Sequence, residues 1–193
     1  MIYPGIVYLQ LLIAQTIGVA EPFWQMFVVQ LFHAFYSLLI VFFSYRITLA
    51  ISNKRAALVV GLFSAGLWFF PFLSVRTMTE WTSVPIVLFA IDRYYVPLNR
   101  NKTHLLLIGL LLALAFAIRY QTSFFTLGFG IGILFKDRLR PFLVFTSGLI
   151  LGSLVIQGFG DYLACGMPFG KVYAYVFYIL AYSGDFVFMI MFC

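Results

Sequence analysis

The chain has 193 residues, of which 64% are hydrophobic and 20% aromatic, whereas only 9% are charged. Soluble domains contain roughly 25% charged residues, so this chain has too few charges to cover a water-facing surface. The composition therefore excludes a cytosolic enzyme and a disordered segment. It predicts an integral membrane protein, all-α, with residues 1–193 forming a single transmembrane domain.

Apolar runs divide the chain into about six to eight membrane segments, since a spanning helix needs about 20 mostly apolar residues. In chain order the runs are 5–20, 23–45, 56–73, 81–91, 105–135, 141–159 and 172–192. The first run is short and polar enough to be either a tilted span or an interfacial helix. Pro22 suits the first turn of the second helix, and Arg46 is expected to close it.

Run 105–135 is too long for one crossing, because a single helix of this length would reach roughly 46 Å, against about 30 Å of hydrocarbon. The polar sequence Arg119-Tyr120-Gln121-Thr122-Ser123 interrupts it. Two short crossings would keep Lys102 and Lys136 on the same side. We therefore expect two short or re-entrant segments that meet at the polar sequence.

The net charge of +6 does not indicate a nucleic-acid partner, because the basic residues lie in short clusters between apolar runs. In this layout nine of the 12 Lys and Arg residues lie on one side, which the positive-inside rule makes cytoplasmic. They are Arg46, Lys54, Arg55, Arg93, Arg100, Lys102, Lys136, Arg138 and Arg140. The polar islands lie on the opposite side, so any chemistry is expected at the non-cytoplasmic face.

Arg76, Thr77 and Glu80 form the first of these islands. Their spacing puts all three on one face if the segment is helical. Arg grips phosphate through two parallel hydrogen bonds, so the island is a candidate wall for an anionic ligand, with Glu80 holding the guanidinium. The alternative is an interfacial ion pair that closes a helix end.

Arg119 and Gln121 belong to the second island. A charge within an apolar run usually faces a cavity or a partner, so the turn is expected to line the same cavity as Arg76. The alternative is an Arg119 side chain that snorkels to the interface. Asp161 is expected in an outer loop, where it either contacts an acceptor or is simply solvated.

The remaining titratable residues favour structural roles. His33 is expected to make a helix-packing hydrogen bond, and Asp92 to pair with Arg93 at a helix end. Neither a phosphate-binding glycine loop nor a His/Cys metal spacing occurs, so no metal or cofactor is expected.

Four stretches of the sequence resemble the multi-span (GT-C type) lipid-linked-sugar mannosyltransferases, the family of the GPI-anchor and N-glycan assembly enzymes and their bacterial relatives. They are Ile-Tyr-Pro-Gly (2–5), Val-Arg-Thr-Met-Thr-Glu (75–80), Leu-Ala-Phe-Ala-Ile-Arg-Tyr-Gln-Thr (114–122) and the Asp-Tyr to Gly segment (161–166). The family's acidic motif, which carries its catalytic base, has no counterpart in this sequence. The resemblance therefore indicates an internal or truncated piece of such an enzyme, with the base unassigned.

The resemblance implies a glycosyltransferase that moves a sugar, mannose by preference, from a polyprenyl-phosphate donor to a lipid or glycan acceptor. Its membrane would be a bacterial inner membrane or the endoplasmic reticulum, and its partners membrane lipid, the lipid-linked donor and the acceptor. It further implies that Arg76, Thr77, Glu80, Arg119, Gln121 and Asp161 contact substrate. A polytopic transporter, which would string polar residues through several spans, and a non-catalytic membrane scaffold are the alternatives.

Overall fold

A computed structural model describes residues 2–66, 79–96 and 102–180. Every regular element in these ranges is helical, as the composition predicts. The helices are α1 (Ile2–Thr16), α2 (Pro22–Ile51), α3 (Lys54–Gly66), α4 (Thr79–Tyr95), α5 (Lys102–Ile118), α6 (Thr122–Asp137), α7 (Leu139–Gly152), a π-helical segment (Ser153–Gly158), α8 (Phe159–Cys165) and α9 (Gly170–Leu180).

Several helix boundaries agree with the sequence. Pro22 occupies the first turn of α2 and follows an extended Glu21, because a proline at this position costs no hydrogen bond. Run 105–135 is broken at residues 119–121 into α5 and α6. One boundary was wrong: α2 does not end at Arg46 but continues to Ile51. The Arg46 charge has an acidic partner on α4, so it does not need a helix end.

Two helical rods are long and apolar enough to cross a membrane. They are α2 and the continuous rod Leu139–Tyr162. Only 22% and 28% of their most apolar stretches are buried, whereas the core helix of a soluble protein is mostly buried. Phe23, Trp24 and Phe35, for example, expose more than half of their surface on α2.

Helix α5 lies at the centre of the bundle, between α4 and α7, and α6 packs against α7. Helix α2 packs against α4 and also contacts α1 and α3. The core is apolar, apart from one tyrosine hydroxyl, and joins four helices. Its buried members are Ala90, Tyr94, Leu105, Ile108, Leu112, Ile133 and Phe145.

Two groups of contacts define the ends of the bundle. At the basic end, Arg46 of α2 lies 3.3 Å from Asp92 of α4, and Tyr94 donates a hydrogen bond of 2.7 Å to Asp137 at the end of α6. At the turn end, Tyr120 accepts a hydrogen bond from Gln157 in the π-helical segment. Helices α2, α4 and α6 therefore run towards the basic end, and α5 and α7 run away from it.

Candidate functional site

The turn between α5 and α6 holds the second polar island in a defined geometry. The Thr122 hydroxyl donates to the Arg119 carbonyl at 2.8 Å, and the Thr122 backbone N–H reaches the same oxygen at 3.1 Å. These bonds satisfy a carbonyl that would otherwise be unpaired where α5 ends. The short polar sequence therefore forms a tight reversal rather than a long loop.

The Arg119 and Gln121 side chains are joined directly. Nε of Arg119 donates a hydrogen bond of 2.6 Å to Oε1 of Gln121. Arg119 is half-buried and Gln121 is exposed, so this bond holds the guanidinium at the edge of the turn. Charge-assisted bonds of this kind are short and comparatively strong.

A cavity of about 560 Å³ lies beside this pair, between α4 and α6. Its polar groups are concentrated at the turn end, and the rest of its wall is apolar. The residues that line it are Trp81, Ser83, Val84, Val87, Leu88, Ile91, Arg119, Gln121, Thr122 and Phe125. A cavity with a cation at one end and an apolar wall suits a ligand with an anionic head and an apolar body.

Tyr120 anchors the turn from the opposite side. Its hydroxyl oxygen accepts a hydrogen bond of 3.1 Å from Nε2 of Gln157, and the same Nε2 donates to Asp161 at 2.8 Å. Gln157 lies in the π-helical segment, a distortion that is frequent at functional sites. The turn is therefore tied to the rod formed by α7, the π-helical segment and α8.

Asp161 does not lie in an outer loop, as the sequence predicted. It lies in the first turn of α8 and exposes only 3% of its surface. The helix continues past residue 160 because the Gln157 amide satisfies the carboxylate within the protein. Asp161 is not among the residues that line the cavity beside Arg119.

The structure thus brings together two of the predicted site residues, Arg119 and Gln121. Arg76 and Thr77 lie outside the described residues, as does the Glu80 side chain. Residue 80 itself is in the first turn of α4, next to Trp81, which lines the cavity.

Sequence reasoning missed Gln157 as a partner of the turn. The available signal was its position four residues before Asp161 in an otherwise apolar run, since residues with this spacing face each other on a helix. Within the described ranges no group of three or more His, Cys, Asp or Glu side chains is placed to hold a metal ion.

Comparison of the chain with family models, with curated proteins and with solved structures finds no match in any of the three.

Proposed function

We propose that this chain forms the donor-binding part of a multi-pass membrane glycosyltransferase. In this proposal α1 and α3–α6 are short or re-entrant membrane segments beside the two long rods. The enzyme moves a sugar, mannose by preference, from a polyprenyl phosphate to a lipid or glycan acceptor at the non-cytoplasmic face.

The observation that carries the proposal is the Arg119–Gln121 pair at the polar end of an apolar cavity. A polyprenyl phosphate has the same division into a charged head and an apolar body. Arg can bind phosphate through its planar fork. Gln121 restricts the guanidinium, and preorganised donors of this kind stabilise charge that develops on a leaving phosphate.

The distribution of polar groups favours a one-sided site over a conduit. The cavity beside Arg119 has its polar lining at the turn end, whereas towards the basic end its wall is apolar, with Val87, Leu88 and Ile91. A transporter needs polar groups along a path through the membrane. Over the described residues the core offers no such path.

The reaction is one displacement at the sugar carbon. The acceptor oxygen forms a bond to that carbon while the bond to the phosphate oxygen breaks, and a carboxylate takes the acceptor proton. In the proposal Arg119 stabilises the departing phosphate. Arg76 and Glu80 contribute a second polar wall, and the proton acceptor is unassigned.

The proposal is tested by binding of undecaprenyl phosphate to the purified chain in lipid nanodiscs. We expect Arg119→Gln to lower the affinity about tenfold or more, since a hydrogen bond to a charged group contributes about 1.5–3 kcal/mol. Arg119→Lys should restore part of the affinity, because it keeps the charge and loses the fork.

Arg140→Gln is the matched control, because it removes one positive charge at the basic end, where Arg140 is exposed. It should bind as the unmodified chain does, and undecaprenol, which lacks the phosphate, should bind weakly to all variants. Equal losses in Arg119→Gln and Arg140→Gln would indicate general charge attraction and overturn the proposed site. If mannose is the donor sugar, mannosyl phosphoryl polyprenol should compete with undecaprenyl phosphate more strongly than the glucosyl form does.

A further inference from the structure

A second cavity, of about 230 Å³, lies between α1, α2, α4 and α5. Thr82 and Ile86 of α4 line it, whereas Val84 and Leu88 line the cavity beside Arg119. Positions two residues apart are about 200° apart around a helix. The two cavities are therefore on opposite sides of α4, and the second one is a separate site, which we call the His33 cavity.

His33 presents a hydrogen-bond acceptor to this cavity. It is 5% exposed, and its Nδ1 lies 2.9 Å from the Val29 carbonyl oxygen. A carbonyl can only accept, so Nδ1 carries the proton, and in the neutral ring Nε2 then holds a lone pair. The Tyr3 hydroxyl lies 3.5 Å from Nε2, at the outer limit of a hydrogen bond.

Gln10 and Tyr36 add two further acceptors. The Gln10 Oε1 atom is buried and has no hydrogen-bond donor within the described part of the chain, although buried polar atoms normally have a partner. The Tyr36 hydroxyl donates to the Thr82 carbonyl at 2.9 Å, so its own oxygen lone pairs remain to accept. Three acceptors thus belong to residues that line one cavity.

The rest of the wall selects the chemical class of the ligand. The other lining residues include Ile6, Phe32, Leu114 and Ile118, which suit an apolar body. None of the nine described lining residues is Asp, Glu, Lys or Arg, so a cation would lose its hydration without a counter-charge. An anion would meet these lone pairs with no Lys or Arg in the described lining to balance its charge. A neutral hydroxyl donor with an apolar body fits both conditions.

We propose that the His33 cavity binds the hydroxyl end of a neutral alcohol, whose one hydroxyl proton is shared between Nε2 of His33 and Oε1 of Gln10 in a three-centre hydrogen bond. The site is independent of the phosphate site beside Arg119. The volume is several times the roughly 30 Å³ that one water molecule occupies, so the hydroxyl and the adjoining carbon atoms of an alkyl alcohol can enter, while the rest of a longer chain extends through the cavity's opening.

The test uses an eight-carbon alcohol that carries a photoreactive diazirine, added to the full chain in lipid nanodiscs, with adducts mapped by mass spectrometry. We expect saturable labelling of cavity residues such as Phe32 and Leu114. Octanol should compete with the label and octane should not. Gln10→Leu should lower the labelling at least threefold, while Gln15→Leu, the same change at an exposed position of α1, should leave it unchanged.

A second measurement needs no substitution among the residues that line the cavity. In His104→Gln protein labelled with ¹⁵N-histidine, the Nε2 resonance of His33 should shift with octanol in a saturable way and should not shift with octane. Competition by octane as strong as by octanol, labelling that survives Gln10→Leu, or an unresponsive Nε2 resonance would overturn the proposal. Arg119→Gln should leave both readouts unchanged, which separates this site from the proposed phosphate site.

Discussion

The carboxylate of Asp92 is buried at the basic end of the bundle, where it exposes only 1% of its side chain. Sequence reasoning expected it to pair with its neighbour Arg93, but the ion pair is with Arg46 of α2, at 3.3 Å. Burial raises the pKa of the Asp92 carboxyl above its usual range, and the charges of Arg46 and Arg93 act in the opposite direction. The pair therefore lowers the cost of a charge that the fold has placed out of water.

The Arg46–Asp92 pair should make the stability of the fold depend on pH. With a raised pKa, folded Asp92 binds its proton more tightly than the unfolded chain does, so stability falls as pH rises from about 3.9 through the raised pKa. Arg46→Gln removes an opposing charge and raises the pKa of Asp92 further. The fall in stability then extends to higher pH. We expect a loss of about 2 kcal/mol, below the ~3–5 for a fully buried pair because Arg46 is partly exposed.

Reversible unfolding in mixed micelles measures this effect. The loss caused by Arg46→Gln should be greater at about pH 8 than at about pH 5, and the addition of Asp92→Asn should restore stability and remove the pH dependence. Arg55→Gln, an exposed charge on α3, should change stability by less than about 0.5 kcal/mol. A loss independent of pH would mean that Arg46 acts through packing alone.

At the scale of the helices, glycines let α5 and α7 approach closely. A side chain at Gly148 would collide with the Leu106 carbonyl oxygen and would lie 3.0 Å from the Leu106 Cα. At Gly109 it would lie 2.6 Å from the backbone nitrogen of Leu149. Small residues spaced four apart, Gly109 with Ala113 and Gly148 with Gly152, form the contact. This is the arrangement by which helices associate in lipid, where hydrophobic driving force is absent.

Gly148→Ala should therefore destabilise the bundle by about 1–3 kcal/mol, because backbone cannot move aside as a side chain can. The matched control is Gly128→Ala on α6, where an added methyl group meets nothing within 4 Å. That change should be neutral or stabilise by up to about 1 kcal/mol, since Ala is the better helix former. Thermal unfolding in detergent compares them, and equal effects would show that the α5–α7 contact is looser than described.

The same helices show what a sequence of this kind can predict. The break at Arg119-Tyr120-Gln121 was predictable, because polar residues interrupt an apolar run that is too long for one helix. The burial of Asp161 was predictable only in part, since the four-residue spacing from Gln157 was visible and the helix that makes this spacing a contact was not. It depends on the π-helical segment 153–158, which leaves no periodic signal and which carries the helix on from α7 to α8. The Arg46–Asp92 pair joins residues 46 positions apart, and pairing over that distance is decided by helix packing.

For the whole molecule, the unequal lengths of α2 and α4 place the turn between α5 and α6 below the end of α2. The Tyr36 hydroxyl bonds to Thr82 in the first turn of α4, so α4 begins level with the middle of α2. Phe23 lies 13 residues earlier on α2, which is about 20 Å further along the helix axis. Phe23 and Trp24 are 72% and 52% exposed, which is typical of aromatic rings that face lipid or the membrane–water interface. The Arg119 turn, near the start of α4, would then lie below the non-cytoplasmic surface, and the cavity beside it would connect the turn to that face.

The last prediction tests this depth together with the topology, in a background without Cys165 and Cys193. Single cysteines replace Lys54 and Lys102 at the basic end, Glu21 and Met167 at the opposite surface, and Gln121 at the turn. In intact cells an impermeant thiol reagent should label the Glu21 and Met167 sites and leave the Lys54 and Lys102 sites unlabelled, because the positive-inside rule makes the basic end cytoplasmic. Met167 serves as the outer reporter in the place of Asp161, since it is 69% exposed.

The Gln121 cysteine separates the depth from the topology. A charged side chain below the membrane surface needs a cavity or a partner, and the cavity beside Arg119 gives a small thiol reagent a route that a bulky one lacks. We expect slow labelling of Gln121→Cys by the small reagent, none by the bulky one, and none at Leu127→Cys, a 63% exposed apolar position on the same helix. Labelling of the Lys54 and Lys102 sites from outside would reverse the topology. Labelling of Gln121→Cys as fast as that of Glu21→Cys would put the turn at the membrane surface, and hydrocarbon could then not extend to Phe23.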